Sequence, residues 1–237
     1  MDKTDIRESV WDELEATGTA RFPFPPHGRI PNFADAATAA DRLAETPEWA
    51  AATTVKANPD APQLPVRRRA LREGKTVYMA VPRVRDEKCF YKLDPSRLDD
   101  DALDSAPTVS HVATYADQVG PDDVPTIDLV VSGSVAVTER GARIGKGEGF
   151  SDLEYAVLLG LGAVDETTTI ATTVHELQVR EDAPAPDAHD VPMDLVVTPD
   201  RTIRTDTPYS RPSGIDWTAL SDERIAEMPV LQRLRPA

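Results

Sequence analysis

Short β-prone runs closed by proline or glycine alternate with helix-prone segments along most of this chain, and no other feature constrains its fold so tightly. Thr53-Thr54-Val55 precedes a helix-prone stretch from Pro65 to Glu73 that Gly74 closes, and Thr76 to Val81 reads as a buried strand stopped by Pro82. Cys89-Phe90-Tyr91, Ile127 to Val131 and Val135-Ala136-Val137 read as further strands. A helix from Asp152 to about Leu161 and β-rich segments at Thr167 to Val174 and Met193 to Thr198 continue the alternation. Such an order builds a mostly parallel sheet whose two faces both need covering, so the expected fold is a single three-layer α/β/α domain with a Rossmann-like sheet. Residues 1–200 carry that pattern. Residues 201–237, where Pro208, Pro212 and Gly214 lead to a short helix near Ser221 to Met228, read as an extension packed on the same domain.

Ahead of the first strand, Ile6, Val10 and Leu14 repeat four apart, which predicts an amphipathic helix over residues 5–16 with Asp5 and Glu8 as a capping pair and Lys3 and Arg7 at its first turn. Phe22-Pro23-Phe24-Pro25-Pro26 cannot be helical and reads as a well-packed extended segment leading to Ile30 and Phe33.

The formal charge of −15 comes from 26 Asp and 15 Glu against 20 Arg and only 6 Lys in 237 residues. Asp-rich and Lys-poor composition reads as a hydrated surface adapted to high salt, and the acidic balance disfavours binding to a nucleic-acid backbone. No apolar run reaches the ~18 residues that would span a bilayer. The opening Met1-Asp2-Lys3-Thr4-Asp5 lacks the basic-then-apolar order of a secretory signal and Cys89 is the single cysteine, so a cytoplasmic location is expected. Cys89 on a β-prone run reads as an inert core thiol. None of the four histidines stands at paired metal spacing, and His175 is expected at a strand end bordering the pocket. Arg67-Arg68-Arg69 reads as a solvated helix face with one member reaching an anionic ligand tail.

The segment that carries chemistry runs from Arg143 to Glu154. Gly145, Gly147 and Gly149 at every second position let the backbone turn with its N–H groups exposed, and Ser151 with Glu154 reads as a capping box that opens a helix. A glycine-rich turn feeding a helix N-terminus favours anions, and Arg143 and Lys146 add charge that neutralises phosphate oxygens. The spacing is neither a Walker loop nor a dinucleotide fingerprint, and a glycine-rich hairpin without a ligand stays open on these residues alone.

The stretch from Asp128 to Asp152 resembles the signature of the 5-formyltetrahydrofolate cyclo-ligase family. That signature is an apolar strand ending in Pro-Gly, a second apolar strand, a glycine turn, and then Arg-Leu-Gly-x-Gly-x-Gly-Tyr-Tyr-Asp. Gly141, Arg143, Gly145, Gly147, Gly149 and Asp152 stand in its places, and His189-Asp190-Val191-Pro192-Met193-Asp194 is similar to a later Asp-x-x-x-Asp element. A divergent branch of the family, the methenyltetrahydrofolate synthase domain-containing proteins, resembles the chain further at Arg29-Ile30-Pro31-Asn32-Phe33, Gly145 to Gly149 and Gly214-Ile215-Asp216-Trp217. The resemblance implies an ATP-dependent, Mg²⁺-assisted ligase of one-carbon metabolism that closes 5-formyltetrahydrofolate to 5,10-methenyltetrahydrofolate through a phosphorylated formyl group. It assigns Lys3, Arg7, Arg143, Gly145, Lys146, Gly147 and Gly149 to ATP, with Lys146 and Arg143 as the catalytic cations. Asp60 and Phe150 are assigned to the folate, and Asp152 and Asp190 to Mg²⁺. Phe150-Ser151 replaces the family's Tyr-Tyr pair, and Gly133-Ser134 replaces its Pro-Gly. A folate- or nucleotide-binding regulatory paralogue without turnover is therefore the alternative. An RNA-associated role has no aromatic RNA-binding motif or basic face behind it. Folate and ATP are the expected partners, no membrane partner is expected, and monomer and homodimer both remain open.

Overall fold

The computed structural model describes residues 1–236. In chain order the strands are β1 (Ala20–Arg21), β2 (Asn32–Phe33), β3 (Thr54–Ala57), β4 (Thr76–Ala80), β5 (Phe90–Leu93), β6 (Asp117–Val119), β7 (Leu129–Val131), β8 (Ala136–Val137), β9 (Arg143–Ile144), β10 (Thr169–Thr173), β11 (Leu195–Val197) and β12 (Thr202–Arg204). The helices are α1 (Lys3–Ala16), α2 (Ala36–Ala44), α3 (Pro47–Ala51), α4 (Leu64–Arg72), α5 (Val112–Tyr115), α6 (Phe150–Gly160), α7 (Asp222–Ala226) and α8 (Pro229–Leu234).

One eight-stranded sheet in the order β12-β11-β10-β7-β3-β4-β5-β6 forms the middle layer. Its centre, from β11 to β4, is parallel, and β12, β5 and β6 join antiparallel at the two edges. The two-residue side-chain period divides each strand between two cores. Val77, Met79, Leu129, Val131, Leu195 and Val197 face α2, α3 and α4 with Leu43, Trp49 and Leu71, while Tyr78, Val130, Ile170 and Val196 face α6 and α8 with Tyr155, Leu158 and Leu231. The sheet is therefore covered on both sides, and the fold is a three-layer, mostly parallel α/β domain. Among the described residues, no helix is long and apolar enough to cross a membrane.

Several local expectations are corrected. The N-cap of α1 is Asp2, whose carboxylate accepts from the Thr4 and Asp5 amides while Asp5 returns a bond to the Asp2 N–H; the capping pair is thus Asp2 and Asp5, not Asp5 and Glu8. Helix α6 starts two residues earlier than the Ser151 box required, with Gly149 as its N-cap at φ +68°, a conformation glycine adopts without strain. Ser151 and Glu154 lie inside α6, and Glu154 turns inward. Val135 to Val137 does not enter the main sheet; Ala136-Val137 pairs with Arg143-Ile144 as a separate ribbon that carries α1 through Ile6, Val10, Trp11 and Leu14. Phe22 and Phe24 are 77% and 58% exposed, so the proline-rich segment is not well packed; only Pro26 of Phe22 to Pro26 is buried. Cys89 is fully buried, and burial pushes its thiol up to about 11.

Candidate functional site

Taking only the five central parallel strands in sequence order, the first, β3, lies between the second, β4, and the third, β7, with β10 and β11 beyond β7. The chain therefore leaves β3 toward β4 and returns on the other side at β7. At such a switch point the loops leaving adjacent strands diverge and leave a crevice beyond their carboxyl ends. A cavity of about 260 Å³ occupies that place, lined from β3 by Asn58, Pro59 and Asp60, from β4 by Ala80, Val81 and Pro82, and from β7 by Gly133. The remaining wall comes from Arg143, Gly145, Lys146, Glu148 and Gly149 of the glycine loop and Phe150, Ser151, Asp152 and Glu154 of α6. A wider, open cleft of about 740 Å³ continues from it past Ile30, Asp60 and Lys146 to Phe22, His27, Arg67 and Val109.

Arg143 is delivered by the β8–β9 ribbon. Its Nη1 donates to the Gly133 carbonyl at 2.9 Å and its Nη2 to Asp152 Oδ2, forming an ion pair whose side chains are 3% and 10% exposed. The other Asp152 oxygen accepts from the Val191 N–H at 3.0 Å. Arg143 is thus a buried strut of the cavity wall whose charge is already met by Asp152, and its Nε has no partner among the described residues. Lys146 differs. Its side chain is one-third exposed, and its ammonium lies 2.9 Å from Glu148.

Asp60 sits at the junction of cavity and cleft. Burial raises its carboxyl above the usual range, with Lys146 opposing the shift and Glu154 adding to it. Gly133 makes room for this carboxyl, because a Cβ there would meet Asp60 Oδ2 and the Ile30 side chain at 3.0 Å. Beneath Asp60, Arg67 donates to the carbonyls of Asn58, Pro59, Asp60 and Pro107, and desolvation lowers its guanidinium to about 9. The expectation of a solvated Arg67-Arg68-Arg69 face is corrected: Arg67 is buried and fixes the loop that presents Asp60, whereas Arg68 and Arg69 stay outside, Arg69 paired with Asp41 and Glu73.

The two N-terminal cations bind protein, not open cavity. Arg7 Nε donates to the Gly145 carbonyl at 2.7 Å, bracing the loop from behind α1. Lys3 reaches Asp187 at 2.7 Å and Asp190; although burial opposes its charge, these two bonds raise its ammonium. Neither residue lines the cavity or the cleft described above. Asp190 Oδ2 also accepts from the Asp187 N–H, at 2.7 Å. His175 stands beyond β10 and caps the following 3-10 turn through the Leu177 N–H, away from both spaces.

Sequence reasoning missed a buried pair at the cavity floor. Lys56 on β3, 2% exposed at its side chain, bonds Glu154 of α6 and the Asn58 amide oxygen. A lysine inside a β-prone run, in a chain with so few, was the available signal.

A doubly wound α/β sheet with a glycine loop, a helix N-terminus and mixed charges around its switch-point cavity is an arrangement chemically suited to small anionic ligands. The family model described as "5-formyltetrahydrofolate cyclo-ligase family" matches residues 2–199, and the chain belongs to that family. It is 42% identical over 239 residues to the methenyltetrahydrofolate synthase domain-containing protein of Bos taurus and 39% identical over 237 residues to that of Homo sapiens. In each comparison the match covers 99% of this chain and 62% of the relative, so the chain spans about three-fifths of their length. Among solved structures, the NMR structure of the Aquifex aeolicus 5,10-methenyltetrahydrofolate synthetase shares the fold, with a TM-score of 0.53, 22% identity, and coverage of 89% of this chain and 96% of that one.

Proposed function

We propose that this chain is an ATP-dependent cyclo-ligase that converts 5-formyltetrahydrofolate to 5,10-methenyltetrahydrofolate. The observation that carries the reading is the convergence of Arg143, Gly145, Lys146 and Gly149 with Asp60 and Phe150 on one cavity at the switch point of a cyclo-ligase-family fold. The chemistry needs a positioned phosphate donor more than a protein nucleophile. The formyl oxygen attacks the γ-phosphorus of ATP and ADP leaves; the N10 amine then attacks the activated formyl carbon, N10 loses its proton, and phosphate departs with the former formyl oxygen. Lys146, part-exposed at the rim and paired with Glu148, supplies charge to the phosphoryl oxygens, and the glycine loop offers backbone N–H groups. Arg143 holds the loop and α6 together and presents one edge to the same space. Asp60 and Phe150 receive the folate.

Asp152 and Asp190 do not offer Mg²⁺ a free pair of carboxylates, since Asp152 is engaged by Arg143 and Val191 and Asp190 by Lys3 and Asp187. The alternative, a ligand-binding paralogue without turnover, is favoured by the Phe150-Ser151 replacement alone. The deciding assay follows methenyl absorbance and ADP release with 5-formyltetrahydrofolate, ATP and Mg²⁺ in low and molar KCl. Stoichiometric growth of both products is expected; binding of both ligands with neither product would leave the paralogue.

A further inference from the structure

The segment after Pro199 lies outside the span of the family model, yet it reaches the glycine loop. Ile225, Met228, Val230 and Leu231 of this segment are buried in the same core as Tyr155 and Leu158 of α6. That docking places the guanidinium of Arg224, half-buried on α7, over the Phe150 ring, with Cζ 4.5 Å from the centroid. From the same position Nη2 donates to the Glu148 carbonyl at 3.2 Å. Phe150 and Glu148 both line the switch-point cavity, and the Glu148 carboxylate holds Lys146. One side chain from the C-terminal segment thus touches two cavity residues and acts on a third through Glu148.

The loop has need of such contacts. Gly147 and Gly149 adopt φ of +105° and +68°, and three of residues 145–149 carry no side chain with which to anchor the turn. Its two ends are held by arginines from different helices: Arg7 of α1 binds the Gly145 carbonyl, and Arg224 of α7 binds the Glu148 carbonyl. Stacking on Phe150 adds a cation–π contact that also fixes the guanidinium plane, a geometry a planar cation satisfies better than an ammonium. We infer that Arg224 is a positioning residue for the glycine loop, so that the C-terminal segment completes the candidate site. Its effect on nucleotide affinity rests on the function proposed above; its effect on loop order does not.

The two parts are tested separately on the full chain. Trypsin cleavage after Lys146 reports opening of the loop, and calorimetric titration of ATP–Mg²⁺ reports its competence. Arg224→Ala is expected to speed cleavage after Lys146 about 10-fold, the factor that follows from losing one charge-assisted hydrogen bond and a stacking contact. ATP binding should weaken about 3- to 10-fold because the loop must then be ordered on binding. Arg224→Lys should recover part of both effects. Arg85→Ala breaks the exposed Arg85–Glu227 pair, which ties down the same segment without a hydrogen bond or ion pair to the loop among the described residues, and should change neither. Wild-type cleavage and affinity in Arg224→Ala would overturn the inference. So would equal effects in Arg85→Ala, which would show that docking of the segment, not Arg224, orders the loop. Faster cleavage in Arg224→Ala with no ATP binding by the wild type would support the brace and defeat the nucleotide reading.

Discussion

Asp152→Asn removes one charge from a buried ion pair of the cavity wall while keeping an amide oxygen that can still accept from the Val191 N–H. With its side chain 3% exposed, Arg143 is left charged, buried and holding only the Gly133 carbonyl. Breaking a buried pair in this way costs about 3–5 kcal/mol, because the stranded charge has neither partner nor water. At about 2–4 °C per kcal/mol for a chain of this size, the melting temperature should fall by about 6–20 °C. Urea unfolding in molar KCl gives the free energy directly. The double variant Arg143→Met with Asp152→Asn no longer strands a charge, so its loss should fall short of the sum of the single losses by about 1–3 kcal/mol. A loss below ~1 kcal/mol for Asp152→Asn, the size of a helix-dipole contribution, would refute the strut. If Asp152 instead acted as a metal ligand facing open space, the variant would fold as stably as the wild type and lose only activity.

Three further outcomes are expected. Lys146→Ala should weaken ATP–Mg²⁺ binding about 10- to 100-fold, equivalent to ~1.5–3 kcal/mol for a charge-assisted contact, with an unchanged melting temperature; wild-type affinity in calorimetry would place the nucleotide elsewhere. For Asp60, burial raises the folded carboxyl above its unfolded value, so ionisation costs folding stability that is absent below the unfolded pKa and grows as pH rises through the folded one. Asp60→Asn should therefore melt above the wild type near pH 8 and level with it near pH 3.5; an equal difference at both pH values would contradict this. Finally, a charge of −15 with few lysines should make folding salt-dependent, and a melting temperature that fails to rise from low to molar KCl would remove the high-salt reading.

The central strands and their covering helices were legible in the sequence because their signal is local. Val77 and Met79 against Tyr78, or Leu129 and Val131 against Val130, carry the two-residue period that sends side chains to opposite faces, and Gly74 and Pro82 mark where an element must stop. The glycine loop was legible for the same reason: repeated glycines ahead of a helix report backbone conformation wherever they stand. The partners that decide the site are another matter. Arg143 with Asp152 and Gly133, Lys56 with Glu154 ninety-eight residues on, and Arg224 over Phe150 are pairings between elements. Local periodicity does not encode the order of strands in a sheet, and that order brings the ends of β3 and β7 together. Hence residue types alone made Arg143 a cation for phosphate and Glu154 part of a cap, and the family resemblance made Asp152 a metal ligand. Only the packed tertiary structure, by withdrawing water from all three, turned them into partners of buried charges, because a charge without water needs an opposite charge beside it.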